Sequence, residues 1–157
     1  MNEKFMTEAI QLAQQNVEKG KGGPFGALIV KDHHIIARGV NEVTTTNDPT
    51  AHAEIQAIRQ ACAYLKSFQL EGCILYTSCE PCPMCLGAIY WARLEKVYFA
   101  ATHQDAAEAH FDDSFIYHEI QQPYECRKIS MIHLSSYRVA AQEVFRIWKS
   151  IENKTPY

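Results

Sequence analysis

The 157-residue chain contains no apolar run approaching the ~18–20 residues that a membrane-spanning helix requires. Its first residues, Met1-Asn2-Glu3-Lys4-Phe5, lack the apolar stretch of a secretory signal, so a cytoplasmic protein with no membrane partner is expected. No segment concentrates Lys and Arg, and the formal net charge is -3, from 15 basic against 18 acidic residues. A high-affinity nucleic-acid surface needs several phosphate-neutralising cations on one face, so that class is disfavoured. A small substrate carrying a base is not. Internal repeats, linkers and low-complexity tracts are also missing. Hydrophobic residues make up 47% and charged residues 21%, so one globular domain over residues 1–157 is the expectation.

What is present reads as alternating helices and strands. Phe5, Ala9, Leu12, Ala13 and Val17 keep one helical stripe, which Gly20, Gly22, Gly23 and Pro24 end. Phe25–Val30 and Ile35–Val40 read as a hairpin around the polar turn Lys31-Asp32-His33-His34. Asn41–Thr50 reads as loop. Helical spacing resumes with Ile55, Ile58, Ala61, Cys62 and Leu65. A strand is expected at Cys73–Thr77, a helix at Met84–Ala92 and a strand at Lys96–Ala101. The pattern weakens beyond residue 101 until helical spacing returns over Val139–Ile151, around Phe145 and Trp148. This order predicts an α/β fold, in which ligands sit where strands end and helices begin. His52 and Cys82 both fall at such loop-to-helix starts.

The six cysteines are Cys62, Cys73, Cys79, Cys82, Cys85 and Cys126. In a cytosolic chain of this length, clustered cysteines point to metal or catalysis rather than to disulfides. In Pro81-Cys82-Pro83-Met84-Cys85 the two thiols lie one helical turn apart and can face one ion, with Pro83 suited to the first helical turn. A helix N-terminus beside two thiols favours their ionised, metal-binding form. His52 would be the third ligand, and Glu54, two residues on, would stand beside the ion as a proton carrier. Three protein ligands leave a tetrahedral position for water, as catalytic zinc sites do. His-x-Glu followed by Pro-Cys-x-x-Cys is the pattern of zinc-dependent nucleobase deaminases. The alternative is a structural site closed by Cys79, hence a zinc-stabilised binding module; it leaves Glu54 without a chemical role and strains the path through Pro81. An iron–sulfur cluster of the bacterial ferredoxin kind would need a cysteine where Ile89 stands.

Other residues read blandly by themselves. Asn41 suits a turn, Phe25 a core, Asp112-Asp113-Ser114 a helix N-cap, and Tyr157 a frayed terminus. Trp91 and the free Cys62, Cys73 and Cys126 suit core packing. His33, His34, His103, His110, His118 and His133 have no metal-ligand spacing.

Four segments carry a family resemblance in order along the chain: Gly22-Gly23-Pro24-Phe25-Gly26-Ala27; Asn47-Asp48-Pro49-Thr50-Ala51-His52-Ala53-Glu54; Thr77-Ser78-Cys79-Glu80-Pro81-Cys82-Pro83-Met84-Cys85; and Phe111-Asp112-Asp113-Ser114-Phe115. The chain resembles the cytidine and deoxycytidylate deaminase superfamily, and within it the small bacterial guanine deaminases. The zinc motif specifies reaction but not base; the Phe-Asp-Asp segment and Tyr157 tilt the resemblance to guanine. It implies a three-layer α-β-α sandwich around a five-stranded mixed sheet and one Zn2+ per subunit. It also implies a homodimer that exchanges a C-terminal segment of about residues 136–157. The implied reaction is hydrolysis of guanine to xanthine and ammonia; deamination of transfer-RNA adenosine, cytosine or guanosine is the alternative. His52, Cys82 and Cys85 carry over as ligands and Glu54 as proton shuttle. Asp113 carries over as a second catalytic group and purine contact, with Asn41 and Phe25 on the base and Tyr157 supplied by the partner chain.

Overall fold

Aliphatic runs separated by turns pair into one mixed sheet in the computed structural model, which describes residues 2–157. The strands are β1 (Gly26–Lys31), β2 (His34–Val40), β3 (Ile74–Cys79) and β4 (Lys96–Ala101), in the order β2-β1-β3-β4. β1 is antiparallel to both β2 and β3, whereas β3 and β4 run parallel, with Cys79 opposite Ala101. The helices are α1 (Glu3–Glu18), α2 (Val43–Thr46), α3 (Ala53–Leu65), α4 (Pro83–Trp91), α5 (His103–Glu108), α6 (Ser114–Gln121) and α7 (Arg138–Ser150). The chain divides into two compact units, the first ending at Phe115 and the second running Ile116–Tyr157.

In the first unit, alternate side chains of β1 feed two cores, as the two-residue period of a strand demands. Ala27 and Ile29 join Ala53, Ala57, Ile58 and Ala61 of α3 and Ile89 of α4. Leu28 and Val30 join Ala9 of α1 and Tyr76, with Phe5, Met6 and Leu12 packed against them. Leu28, Ile29 and Leu75 are fully buried, each contributing about 1.5–3 kcal/mol by leaving water. The alanines of α3 let it lie close on β2: a Cβ built on Gly39 would come 2.0 Å from the Ala53 carbonyl oxygen. That approach seats the start of α3, where His52 and Glu54 stand, directly on the sheet.

The elements up to residue 101 match the sequence expectation to within three residues at each end, with one addition. Val43–Thr46, expected as loop, is a single helical turn, closed by Asn47 in the left-handed region at φ 53°. The fifth strand is not there: the sheet has four strands among the described residues. After β4 the chain enters helix instead, because Thr102 and Asp105 form a reciprocal capping box that starts α5. The strand-like residues Ile129, Met131 and Ile132 pair with no strand and are exposed. Trp91 and Cys126 are exposed rather than in the core. In the second unit no residue is buried, and α7 exposes Val139, Val144, Phe145 and Ile147. No helix among the described residues is long and apolar enough to cross a membrane.

Candidate active site

His52 is the N-cap residue of α3 and Cys82 the N-cap residue of α4, both in extended backbone conformation. An N-cap side chain usually folds back on its own helix. Neither does so here, and the two side chains turn toward each other instead. Pro83 occupies the first turn of α4, where a missing N–H costs nothing, and Cys85 follows one turn later, fully buried. The His52 Nδ1 atom lies 3.5 Å from Cys82 Sγ and 3.6 Å from Cys85 Sγ. Tetrahedral bonding with Zn–S near 2.3 Å and Zn–N near 2.0–2.1 Å spaces nitrogen and sulfur roughly 3.5–3.6 Å apart. The donor trio therefore fits a zinc ion.

The protonation states say the same. Hydrogen bonding with Cys85 and His52 pulls the Cys82 thiol down to about 4. The neighbouring Cys82 sulfur, burial and Glu54 push Cys85 the other way. Two sulfurs this close share one proton until a cation offsets the second negative charge, and a divalent ion is what lets both ionise. His52 is raised, first by its bond with Cys82.

Cys79 takes no part in this group. The potential metal donors are His52, Cys82 and Cys85, while the Cys79 thiol donates to the Thr102 carbonyl oxygen at 3.5 Å. Burial and the nearby Glu54 raise its pKa to about 11, so it stays protonated. The closed structural site is thus without its fourth sulfur.

Glu54, in the first turn of α3, is 5% exposed. Its Oε1 accepts from the Thr77 hydroxyl at 3.2 Å, and its Oε2 accepts from Cys85 Sγ at 3.5 Å. Burial is the main cause of its raised pKa. Thr77 heads one of the segments that carry the family resemblance, but its bond to Glu54 is not readable from the sequence. Asn41 is 7% exposed, and its Oδ1 accepts from the backbone N–H of Gly23 at 3.2 Å and of Val43 at 3.4 Å. Phe25 meets Phe111 edge-on at 5.0 Å between ring centres. In the Phe-Asp-Asp segment the capping role belongs to Asp112, whose Oδ1 accepts from Ser114 N–H at 2.9 Å. Asp113 is left for other partners, and burial followed by the charge of Cys82 raises its pKa. His52 in turn feels the charge of Asp113. The structure thus brings His52, Cys82, Cys85 and Glu54 together, with Asp113 in electrostatic range. Tyr157 lies in the second unit and is exposed there.

An ion pair flanks the site. Glu80 Oε2 accepts from both the backbone N–H of His103, at 3.1 Å, and its Nδ1, at 2.9 Å, tying the segment before Cys82 to the start of α5.

A three-donor metal site with a buried carboxyl beside it, at helix starts along a mixed sheet, defines a mononuclear metal-dependent enzyme of the α/β class. Residues 1–101 match the cytidine and deoxycytidylate deaminase zinc-binding region, and the chain belongs to that family. It is 58% identical to a guanine deaminase of Bacillus subtilis strain 168, over 99% of each chain. An X-ray structure of guanine deaminase from B. subtilis superposes with a TM-score of 0.94 at 57% identity, covering 100% of this chain and 99% of that one. A tRNA-specific adenosine deaminase of Aquifex aeolicus is 48% identical over 99 residues, covering 63% of this chain and 65% of its own. The cofactor is zinc.

Proposed function

We propose that this chain hydrolyses guanine to xanthine and ammonia, consuming one water per turnover. The observation that carries this is the Glu54 carboxyl, buried and hydrogen-bonded beside three side chains suited to one zinc ion. Agreement along the whole chain with a guanine deaminase, against 99 residues with a tRNA adenosine deaminase, supports guanine as the base.

His52, Cys82 and Cys85 hold the ion. When bound, zinc supplies Lewis acidity that lets water lose a proton near neutral pH. Glu54 accepts that proton, and burial, which favours its neutral form, suits it to carry one. Glu54 delivers the proton to N3 of the purine as the water oxygen joins C2. The remaining hydroxyl proton, relayed to the amino group by Glu54 again or by Asp113, makes neutral ammonia as the C–N bond breaks and C2 becomes a carbonyl. An ionised Asp113 also matches the N1–H and N2–H donors of guanine, a pair that adenine lacks. A base without them would leave that carboxylate unpaired. With its oxygen occupied by backbone N–H groups, the Asn41 amide offers its Nδ2 as a donor to a purine acceptor. The Phe25–Phe111 pair supplies an apolar surface for the flat ring.

The same proposal includes a cytoplasmic homodimer that exchanges residues 136–157 of a three-layer deaminase domain and brings Tyr157 to the partner's pocket. The exposed apolar residues of α7 support it, since such a face gains stability by being covered. Mixed dimers of Tyr157-truncated and Glu54→Ala chains should recover part of the activity, because one pocket regains both parts.

Ammonia release from guanine, adenine, cytosine, cytidine and guanosine tests the assignment. Guanine should exceed the others by orders of magnitude; equal or better rates on a nucleoside would overturn it.

A further inference from the structure

The buried residues of α1 are Ala9, Ala13 and Asn16, one helical face. The third is polar, and at 3% exposure it is out of reach of solvent. A primary amide carries two N–H donors. Asn16 uses its Nδ2 on two backbone carbonyls from separate segments, that of Asn41 at 2.8 Å and that of Gly23 at 3.0 Å. Gly23 returns the connection, its N–H donating to Asn41 Oδ1. The ring Asn16–Gly23–Asn41 closes on itself. Gly22 leaves the space for it: a Cβ there would come 2.0 Å from the Asn41 carbonyl oxygen and 3.1 Å from Asn16 Nδ2. The backbone of residue 41 is also bound just before β1, its N–H donating to the Phe25 carbonyl at 3.2 Å.

We propose that Asn16 is a positioning residue for guanine binding, acting through Asn41. The proposal rests on Asn41 contacting the purine. Asn16 clamps the peptide planes of Gly23 and Asn41 so that Gly23 N–H reaches Asn41 Oδ1. The amide of Asn41 then presents nitrogen, not oxygen, to the base. Without Asn16 the buried Asn41 carbonyl loses its donor and the Gly23 carbonyl keeps only the Phe25 N–H, so the loop shifts to find water and the amide is free to rotate. A rotated amide offers an acceptor where the purine needs a donor, so the loss falls on binding rather than on proton transfer at Glu54.

The test is steady-state kinetics on the zinc-loaded full-length chain for Asn16→Ala, Asn41→Ala and the double variant, with zinc content and Tm measured on each. Asn16→Ala should raise KM for guanine about tenfold while kcat stays within about twofold, and in the Asn41→Ala background it should add less than about twofold. Ile29→Val, which thins the core away from this loop, should lower Tm with KM unchanged. If Asn16→Ala does not give soluble protein, Asn16→Ser, which keeps one donor, takes its place with an expected rise of about threefold. An unchanged KM in the Asn16 variant alongside an impaired Asn41→Ala overturns the positioning role and leaves the Asn41 contact standing. Multiplying effects in the double variant do the same. An unchanged KM in Asn41→Ala removes the purine contact, and the positioning role with it.

Discussion

His52 and Cys82 stand at the first positions of two helices, so each takes its direction from the turn that follows it. Asn41 and Asp113 sit between elements, and Asn41 takes its direction from bonds that include one to Gly23 of another segment. The metal side of the site is therefore built from local geometry repeated twice, and the proposed purine side from contacts that the assembled first unit supplies. Cys79 and Cys82 sharpen the contrast. They lie three residues apart in one motif, yet one thiol is raised and bonded to a backbone carbonyl while the other is lowered among metal donors. Their difference lies in the partner each sulfur reaches, the Thr102 carbonyl or His52, which spacing alone does not convey.

Breaking the metal side should have the largest effect. Cys82→Ala should lose both zinc and turnover, whereas Glu54→Gln should keep stoichiometric zinc and lose several orders of magnitude in kcat, about 5 kcal/mol of barrier at the upper end. Metal analysis beside kinetics separates them, and a Glu54→Gln enzyme with near-normal kcat would remove the proton carrier from the mechanism. On the purine side, Asp113→Asn should cost about a hundredfold in kcat/KM for guanine with zinc unchanged. A variant as active as the parent would leave the base with a different recognition group. Cys79→Ala should retain one zinc per chain and most activity; loss of the metal would make Cys79 a ligand and the site a closed one.

The smallest expected effect lies at the Glu80–His103 pair. Glu80 is lowered from the usual 4.5 by its hydrogen bonds from His103, and His103 is raised from 6.5 by the same partner. A depressed carboxyl stabilises the fold above its unfolded pKa and loses that contribution as pH falls. A raised imidazole stabilises below its unfolded pKa and loses it as pH rises. The pair is thus strongest between those limits, and its exposure keeps it weak. The Tm difference between the parent and His103→Asn should peak at about pH 5–6 and vanish above about pH 8. A flat profile would mean that the pair does not form in solution.

Much of this site is legible along the chain because its chemistry is short-range. Two thiols one turn apart behind a proline, and a histidine two residues before a glutamate at a helix start, need little more than the helical period to converge. Lys96–Ala101 emerges as strand with the expected ends, and α7 lies one residue from its expected position, because each has a clear hydrophobic period. The segment after residue 101 is harder to read. There the hydrophobic period fades, Thr102 and Asp105 cap a helix, and the sheet has four strands among the described residues. Phe-Asp-Asp carries two acids that look equivalent in sequence, and the bond from Ser114 N–H to Asp112 tells them apart.

The sequence by itself determined the metal donors, the acid beside them and the alternation of helix and strand, since each depends on neighbours within a few residues. Tertiary structure alone decided that Cys79 bonds the Thr102 carbonyl, that Thr77 holds Glu54, and that Asn16 reaches across 25 positions to the Asn41 carbonyl. Those are partnerships through space: a buried polar atom takes whichever donor or acceptor the packing of the sheet and helices brings within reach.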